Sequence, residues 1–578
     1  MTARLALPAA VLAVALLHAV TFAFDLPPLL GADRILAGPD CYMRLMLTER
    51  LWETGQWFDR LSPLTNAPHG EVLHWTRPFD LVLLAGALPL SLFMDMREAL
   101  YQWGALVSPA LHLLAVVVLW WGTRRLLPAW AFVLAAVLFY LQPAVRSYFL
   151  PGRPDHHGLQ ILLFVVAMAG LLRMFQEPDR RWLAVLLGLC GGLGMWVSVE
   201  GLIPVFVVLA TLGVLWLLHG GRYLRAIAEY LGASALTVAA ALLLDRPPSG
   251  LFAIEYDRIS IVHVTLFVAM AAPWTAMRAL PAIGPIGRTG LCLAGAAIPG
   301  IVMAALFPKF FGGPFVDVDP RMIPLWLEGI SEVEPLLGAK LVFHLGPLVV
   351  ALPFAARLLK TRRDTAVLFL VAMMVMLPMA LYQVRWAVYV QTVMVIPWAM
   401  AMAAVLRWEG RWRHIPLRVP VFLAFLLGHL LVAGGMERLA EDEPAPKVGE
   451  TCEWARIEKI LGDLATKRGR RLTIVSFVHQ GPEIAWRTGQ AVVGSPYQRN
   501  ADGVVDTHAI LGATDMVSAR AVVARRGVDV IAVCRDVKEA RRYSDNTLFA
   551  RLLDGRPPSW LRPVPVPEKS FAVMEVLD

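Results

Sequence analysis

Long apolar runs recur along this chain of 578 residues, and they constrain its fold more than any other feature of the sequence. A run of roughly 17–25 apolar residues is long enough to cross a hydrocarbon core about 30 Å thick as a helix. Only 17% of the residues are charged, whereas soluble domains carry about a quarter. The sequence therefore predicts a polytopic α-helical membrane protein with about 13 spanning helices. The predicted spans are 5–24, 98–121, 126–143, 159–175, 182–197, 201–218, 226–244, 261–277, 289–307, 341–358, 365–382, 386–405 and 417–435.

Basic residues occupy alternate loops of this threading. We interpret the first run as a retained span, because it is long and no small-residue cleavage site follows it. With Met1 inside, the arginines at 124–125, 222–225 and 357–363 fall in cytoplasmic loops, as the positive-inside rule requires. The net charge of +8 thus reflects membrane topology, and no nucleic-acid partner is expected. Phe79–Phe93 is short and contains Pro89, so we predict a surface or re-entrant segment there.

The threading places two long loops and a C-terminal domain outside the membrane. The loops are residues 25–97 and 308–340 within a transmembrane domain of residues 1–438. Residues 439–578 predict a small extracytoplasmic α/β domain, because strand-like and helix-like segments alternate there. The predicted strands are 471–478, 491–495, 528–534 and 571–576, and the predicted helices are 453–467 and 507–525.

The five cysteines show no CxxC spacing, which argues against zinc ribbons and iron–sulfur sites. Cys452 and Cys534 both lie in the predicted external domain. A disulfide between them is one of the alternatives in an oxidising compartment.

Titratable side chains gather at the outer ends of the spans. Asp155-His156-His157 lies between two apolar runs, where a carboxylate and imidazoles more often mark chemistry than packing. Asp40 and Glu332 lie in the two external loops. Each group has a plain structural alternative, which is a helix N-cap for Asp40 and a solvated loop for the others. Adjacent histidines point apart unless the loop bends, so we expect only one imidazole to meet a given metal.

Two further charged residues lie on the same side. Glu200 lies at the end of a span, and its structural alternative is a position at the level of the lipid headgroups. Arg385 breaks the positive-inside pattern and is a candidate anion contact or a snorkelling side chain. Carboxylates with imidazole suit Mg²⁺ or Mn²⁺. Such an ion at the membrane face can clamp a phosphate or diphosphate leaving group. A lipid-linked sugar fits this location, but the spacing alone leaves other membrane phosphate chemistry open.

Four motifs in this order resemble those of oligosaccharyltransferase catalytic subunits, which are GT-C membrane glycosyltransferases. The motifs are Asp40-Cys-Tyr42-Met-Arg44, Asp155-His156-His157, Ile330-Ser331-Glu332 and Arg385-Trp386. Gly329 stands where the family has a hydroxyl residue in its Ser/Thr-hydrophobic-x-Glu motif. Thirteen spans followed by an external domain also match, so the resemblance covers nearly the whole chain.

The resemblance implies a metal-dependent glycosyltransferase of the cytoplasmic membrane, with its active site on the periplasmic side. A sugar or oligosaccharide would pass with inversion from a polyprenyl-(di)phosphate donor to an acceptor. Asp40, Asp155 and His157 would hold Mg²⁺ or Mn²⁺, and Asp40 and Glu332 would be catalytic. The residues implied to contact substrate are Arg385, Tyr42, Arg44, His156 and Glu200.

One departure from the family leaves the acceptor open. Members that glycosylate asparagine begin their C-terminal domain with Trp-Trp-Asp-Tyr-Gly, and here Ser476–Gly489 stands in its place. The acceptor is thus a protein side chain, a lipid or a cell-surface polysaccharide. A transporter of lipid-linked glycans and an inactive scaffold are the competing hypotheses. Charges at the span ends and the lack of an internal repeat disfavour transport, and the retained acidic residues disfavour a scaffold.

Overall fold

The computed structural model of the protein describes residues 3–30, 34–281, 283–326, 330–407, 415–440, 454–534, 538–566 and 571–577. Helices dominate the described residues up to position 440. They are α1 (Ala3–Leu30), α2 (Pro39–Thr54), α3 (Arg77–Leu90), α4 (Met96–Thr123), α5 (Ala129–Leu141), α6 (Pro143–Tyr148), α7 (His157–Gln176), α8 (Trp182–Val197), α9 (Leu202–His219), α10 (Arg222–Asp245), α11 (Ile261–Ala276), α12 (Pro285–Leu306), α13 (Ile323–Trp326), α14 (Gly338–Leu345), α15 (Leu348–Arg357), α16 (Arg363–Tyr382), α17 (Ala387–Arg407) and α18 (Ile415–Ala440).

The predicted polytopic helical fold is confirmed, and the chain is a multi-pass membrane protein. Within the described residues, ten helices are long and apolar enough to cross a membrane, and α14 with α15 forms a further pair bent by 46°. Two shorter apolar helices, α5 and α8, coincide with predicted spans. Each predicted run overlaps one of these elements, while the number of crossings stays a prediction. Phe79–Phe93 largely forms α3, a helix of 14 residues.

Glycines bring α8 and α10 into close contact. A Cβ atom on Gly188 would lie 2.3 Å from the Tyr230 carbonyl oxygen, and one on Gly192 would lie 2.4 Å from the Thr237 Cβ. Small residues are how membrane helices approach each other closely. The contacts advance in the same direction along both helices, so α8 and α10 run parallel and their N-termini lie at the same end of the bundle.

Buried charges order residues 34–97, which the sequence predicts to lie outside the membrane and which are called the first external segment below. Asp245, at the end of α10, accepts hydrogen bonds from Arg60 Nη2 at 2.9 Å, from the Arg77 backbone N at 3.2 Å and from Trp196 Nε1 at 3.2 Å. A buried carboxylate is costly unless it is paired and hydrogen-bonded, so these contacts fasten the segment to the bundle. A short hairpin of β1 (Leu61–Ser62) and β2 (Glu71–Val72) completes it.

The C-terminal domain is α/β, as predicted. Its strands are β3 (Thr473–Val475), β4 (Ala491–Val492), β5 (Val530–Cys534), β6 (Leu561–Pro563) and β7 (Phe571–Val576). They form a five-stranded sheet of the order β4-β3-β5-β7-β6, with β3 parallel to β4 and β5, and β7 antiparallel to β5 and β6. Its helices are α19 (Trp454–Arg468), α20 (Gly481–Thr488), α21 (Ala501–Leu511), α22 (Met516–Arg526) and α23 (Leu548–Leu553).

Local detail in this domain differs from the prediction at one helix. The single helix predicted at 507–525 is wrong, because α21 ends at Leu511 and α22 starts at Met516. Asp515 caps α22 by accepting hydrogen bonds from the backbone N atoms of the second and third residues of that helix. The final strand at 571–576 is confirmed. Cys534 is disulfide-bonded, and Cys452 lies outside the described residues.

The C-terminal domain is joined to the first external segment by backbone and side-chain hydrogen bonds. Val492 N donates to Leu64 O at 2.8 Å, and Ala67 N donates to Val492 O at 3.0 Å, so the segment continues the edge of the sheet at β4. Ser495 Oγ donates to Glu71 Oε2 at 2.5 Å in a buried contact. This junction places the residues after β4 beside the membrane helices.

Glu71 gives the junction a testable pH dependence. Burial raises the pKa of Glu71 to about 7. The unfolded carboxyl ionises above about pH 4.5, so the free energy of unfolding falls as the pH rises from about 4.5 to 7 and then levels off. We expect Glu71→Gln to keep an oxygen for Ser495 and to flatten this dependence, measured as Tm by tryptophan fluorescence in detergent. The exposed Glu53→Gln serves as control, and a wild-type pH profile in Glu71→Gln would contradict the assignment.

Candidate active site

One cavity of about 420 Å³ lies where the loop before α7, the start of α2 and the C-terminal domain meet. Its wall includes seven of the nine site residues predicted from the sequence, namely Asp40, Asp155, His156, His157, Glu200, Glu332 and Arg385. Residues more than 300 positions apart thus share one space of the size of a small-molecule site.

The loop between α6 and α7 is held in place by backbone hydrogen bonds. Gly152 N donates to Ala105 O on α4 at 2.9 Å, and Ala37 N donates to Gly152 O at 2.9 Å. Gly152 has a φ of 73°, a backbone conformation that favours glycine. The loop is therefore tied both to the bundle and to the chain that enters α2.

Asp155 lies between two imidazoles. Its Oδ1 is 2.7 Å from His156 Nδ1, its Oδ2 is 2.6 Å from His157 Nδ1, and the two ring centroids are 4.3 Å apart. Both imidazoles approach this carboxylate, while the expectation that only one of them meets a given metal stays a prediction. His156 has helical backbone angles immediately before α7, which turn both rings toward the same carboxylate.

Two atoms of this group that could ligate a metal form no hydrogen bond. Asp155 Oδ1 and His156 Nδ1 are buried, and their close approach lacks hydrogen-bond geometry. Burial opposes ionisation of Asp155, but His157 and His156 hold the pKa of its carboxyl well below its usual range. Burial and His157 lower the pKa of His156 to about 3. An ionised carboxylate beside a neutral imidazole is the state in which both groups can ligate a cation.

Asp40 lies in the first turn of α2 and approaches this group. Gly38 occupies the N-cap position and no side chain caps the helix, so the N-cap alternative for Asp40 does not hold. Burial, and then the charge of Asp155, raise the pKa of Asp40 to about 6. The hydroxyl of Tyr497, brought by the C-terminal domain, lies near the Asp40 carboxyl and opposes the rise in its pKa.

Arg153 is a charged residue of the site that the sequence reasoning missed. Its Nη2 lies 3.0 Å from Glu332 Oε1 and 3.8 Å from Asp155 Oδ2, and its guanidinium stacks over Tyr148 at 4.5 Å. The signal was available, because Arg153 precedes Asp155 by two residues in the same loop. This arginine links the carboxylate on the loop to the carboxylate of the second external segment.

Arg385 forms an ion pair with Glu200 at the edge of the cavity. The two residues were predicted separately, one as an anion contact and the other as a substrate contact. Each lies in a short 3-10 turn at a helix junction, Val384–Trp386 and Val199–Gly201. The structure brings them together, so Glu200 orients the guanidinium and balances its charge.

Tyr42 and Arg44 lie behind the cavity wall. The Tyr42 hydroxyl accepts from Leu36 N at 2.8 Å and donates to Glu483 Oε1 on α20 at 2.7 Å. Arg44 pairs with Asp80 at 3.4 Å and lies 4.1 Å from the ring centroid of Trp75, which lines the cavity. Both predicted substrate contacts therefore support the cavity from outside it.

Residues of the C-terminal domain complete the wall, and sequence reasoning had not selected them. Tyr497 and Gln498 follow β4, and His479 lies in a 3-10 turn of residues Val478–Gln480. His479 Nδ1 lies 3.1 Å from Glu539 Oε2. Only the docking of the domain shows that these side chains face the cavity.

No protein-family model matches the chain, and no curated protein sequence matches it. Among solved structures, the archaeal oligosaccharyltransferase AglB from Archaeoglobus fulgidus, in complex with an inhibitory peptide and a dolichol-phosphate, aligns with a TM-score of 0.68. Sequence identity is 16%, over 92% of this chain and 75% of that chain. The chain has the fold of an oligosaccharyltransferase. The predicted GT-C resemblance is thus confirmed at the level of the fold.

Two further structures of the Archaeoglobus fulgidus oligosaccharyltransferase are similar to the chain. One is tethered with an acceptor peptide containing the NVT sequon, with a TM-score of 0.64 and 16% identity over 89% of this chain and 68% of that chain. The other is a complex with Zn and sulfate, with a TM-score of 0.61 and 16% identity over 90% of this chain and 67% of that chain.

Proposed function

We propose that the chain is a metal-dependent membrane glycosyltransferase. It moves a sugar or oligosaccharide from a polyprenyl-(di)phosphate donor to an acceptor on the outer face of the cytoplasmic membrane. The observation that carries this proposal is a pair of buried atoms that could ligate a metal and form no hydrogen bond, Asp155 Oδ1 and His156 Nδ1. They lie in the cavity of an oligosaccharyltransferase fold. A similar structure holds a dolichol-phosphate and a peptide, which supports a lipid-phosphate donor and a polymeric acceptor.

The donor set fits a divalent cation. One ligand atom from each of Asp155, His156 and His157 lies within 4.8 Å of the others, and Asp40 adds a carboxylate close by. We assign Asp40, Asp155 and His157 as ligands of Mg²⁺ or Mn²⁺, with His156 as a further donor. A divalent ion there neutralises the charge that develops on a departing phosphate.

We assign Asp40 and Glu332 to act on the acceptor. With a pKa of about 6, Asp40 is mostly ionised at neutral pH and can accept a proton from an attacking nucleophile. Glu332 keeps 40% of its side chain exposed, so an acceptor can reach it while Arg153 holds its carboxylate. We assign Arg385 to acceptor contact, with Glu200 orienting it.

The same geometry disfavours the transport hypothesis. The charged residues lie at one end of the bundle rather than at its middle, where transporters bind their substrates.

His479 and Gln498 line the cavity on the side of the C-terminal domain, without the family's sequon motif. The acceptor is therefore a protein side chain, a lipid-linked glycan or a surface polysaccharide. Mass spectrometry of glycans on proteins and lipids from a deletion strain and its parent will identify the class that loses its sugar.

Cation binding can be tested on the purified full-length protein. We expect Asp155→Asn to weaken Mn²⁺ binding roughly tenfold or more, because the carboxylate charge is lost. We also expect wild-type affinity to fall as the pH drops below about 6, where Asp40 becomes protonated. Electron paramagnetic resonance of free Mn²⁺ measures both effects. The control is Asp463→Asn on the exposed face of α19, and unchanged affinity in Asp155→Asn would contradict the metal site.

Sugar transfer tests the catalytic assignment. We expect Asp155→Ala and Glu332→Gln each to lower transfer in membranes roughly a hundredfold or more at normal expression, because each removes a charge that acts on the reacting groups. The matched control Glu334→Gln removes a carboxylate two residues away that pairs with Lys340 outside the cavity. Normal transfer in both variants would refute the proposal, and glycan transport that survives both changes would favour a transporter.

A further inference from the structure

A second cavity, of about 510 Å³, lies at the opposite end of the bundle from the candidate active site. Helix α7 begins at His157 in the active-site wall and ends at Gln176, next to the second cavity. Its 20 residues rise about 1.5 Å each, which separates the two cavities by about 30 Å. The second cavity therefore opens on the other face of the membrane and belongs to no step proposed above.

The walls of this cavity are strongly basic. Four arginines line it, at positions 180, 181, 222 and 225, against two carboxylates, Asp179 and Glu229. Arginine is the side chain best suited to phosphate, because its planar guanidinium offers several donors in a fixed geometry. The lining also includes apolar and aromatic residues, among them Met174, Ala184 and Tyr223.

The positive charge of the cavity is only partly neutralised. Three of the four arginines form ion pairs. These are Arg222 with Asp364 at 3.1 Å, Arg225 with Glu229 at 2.6 Å and Arg180 with Glu177 at 2.9 Å. Arg181 has no ion pair among the described residues. The parallel helices α8 and α10 also begin here, and neither N-terminus has a side-chain cap, so backbone N–H groups add to the positive field.

The surroundings are those of a lipid rather than a soluble anion. Trp182, next to Arg181, leaves 49% of its surface exposed, and its ring lies 6.4 Å from that of Trp121. Tryptophans at helix ends mark the level of the lipid headgroups. Basic pockets between membrane helices on the cytoplasmic side bind phosphate-bearing headgroups. We propose that this cavity binds the headgroup of an anionic phospholipid, with its acyl chains along the apolar helix surface.

Native mass spectrometry of the full-length protein in detergent tests this proposal, with phosphatidylglycerol and phosphatidylcholine as probes. We expect the wild type to retain phosphatidylglycerol and not phosphatidylcholine. Arg181→Gln combined with Arg222→Gln should weaken phosphatidylglycerol binding roughly tenfold, since two phosphate contacts are lost. Arg181→Gln alone breaks no described ion pair, so it must shift binding in the same direction if the double variant folds poorly.

The matched control is Arg357→Gln combined with Lys360→Gln. It removes the same charge from the end of α15 and the turn before α16. This region lies at the same end of the bundle, because Arg222 contacts Asp364 in the first turn of α16. Retained binding in this control supports the cavity. Equal losses in both double variants, or equal binding of the two lipids, would overturn the proposal. Displacement of the lipid by millimolar inorganic phosphate would assign the cavity to a soluble phosphate and also overturn it.

Discussion

The burial of one ionised carboxylate organises the candidate active site. Asp155 is only 3% exposed, and a charge removed from water in this way is stable only if its surroundings compensate it. Two imidazoles and the guanidinium of Arg153 do so, and Arg153 in turn draws Glu332 toward the loop. Asp155 Oδ1 and His156 Nδ1 are buried 2.7 Å apart without hydrogen-bond geometry, so both atoms remain available to a cation. This availability is the physical basis of the proposed metal site.

The position of Asp40 depends on a second set of buried charges. Helix α2 is held from behind by Arg44 with Asp80, and the external segment is held by Arg60 with Asp245. These pairs are almost fully buried, so breaking one partner would leave an uncompensated charge, which is strongly destabilising. The C-terminal domain then docks against the same segment and brings Tyr497 to Asp40. The cavity is thus shared by parts of the chain that fold around one another.

Much of the molecule was predictable from local pattern. The length of the apolar runs predicted the membrane helices, because a membrane-crossing helix needs a continuous apolar run. The alternation of strand-like and helix-like segments predicted the α/β character of the C-terminal domain. The break between α21 and α22 was missed, although Gly512 ends α21 and Asp515 caps α22, and both residue types are common at helix ends. Seven of the nine predicted site residues line the cavity, and their functional roles stay predictions. The acidic and imidazole residues stand out against apolar flanks, whereas the only sequence signal for Arg153 is its position two residues before Asp155.

By itself, the sequence determined the membrane class, the helical architecture and the candidate residues Asp40, Asp155, His157 and Glu332, because polar groups at the ends of apolar runs are costly and few. Only the tertiary structure decided which of them meet. It turned His156 toward Asp155, paired Arg385 with Glu200 and moved Tyr42 and Arg44 behind the wall. These outcomes depend on backbone turns and on contacts between residues that are far apart in the sequence. The local spacing of residue types predicts neither of them.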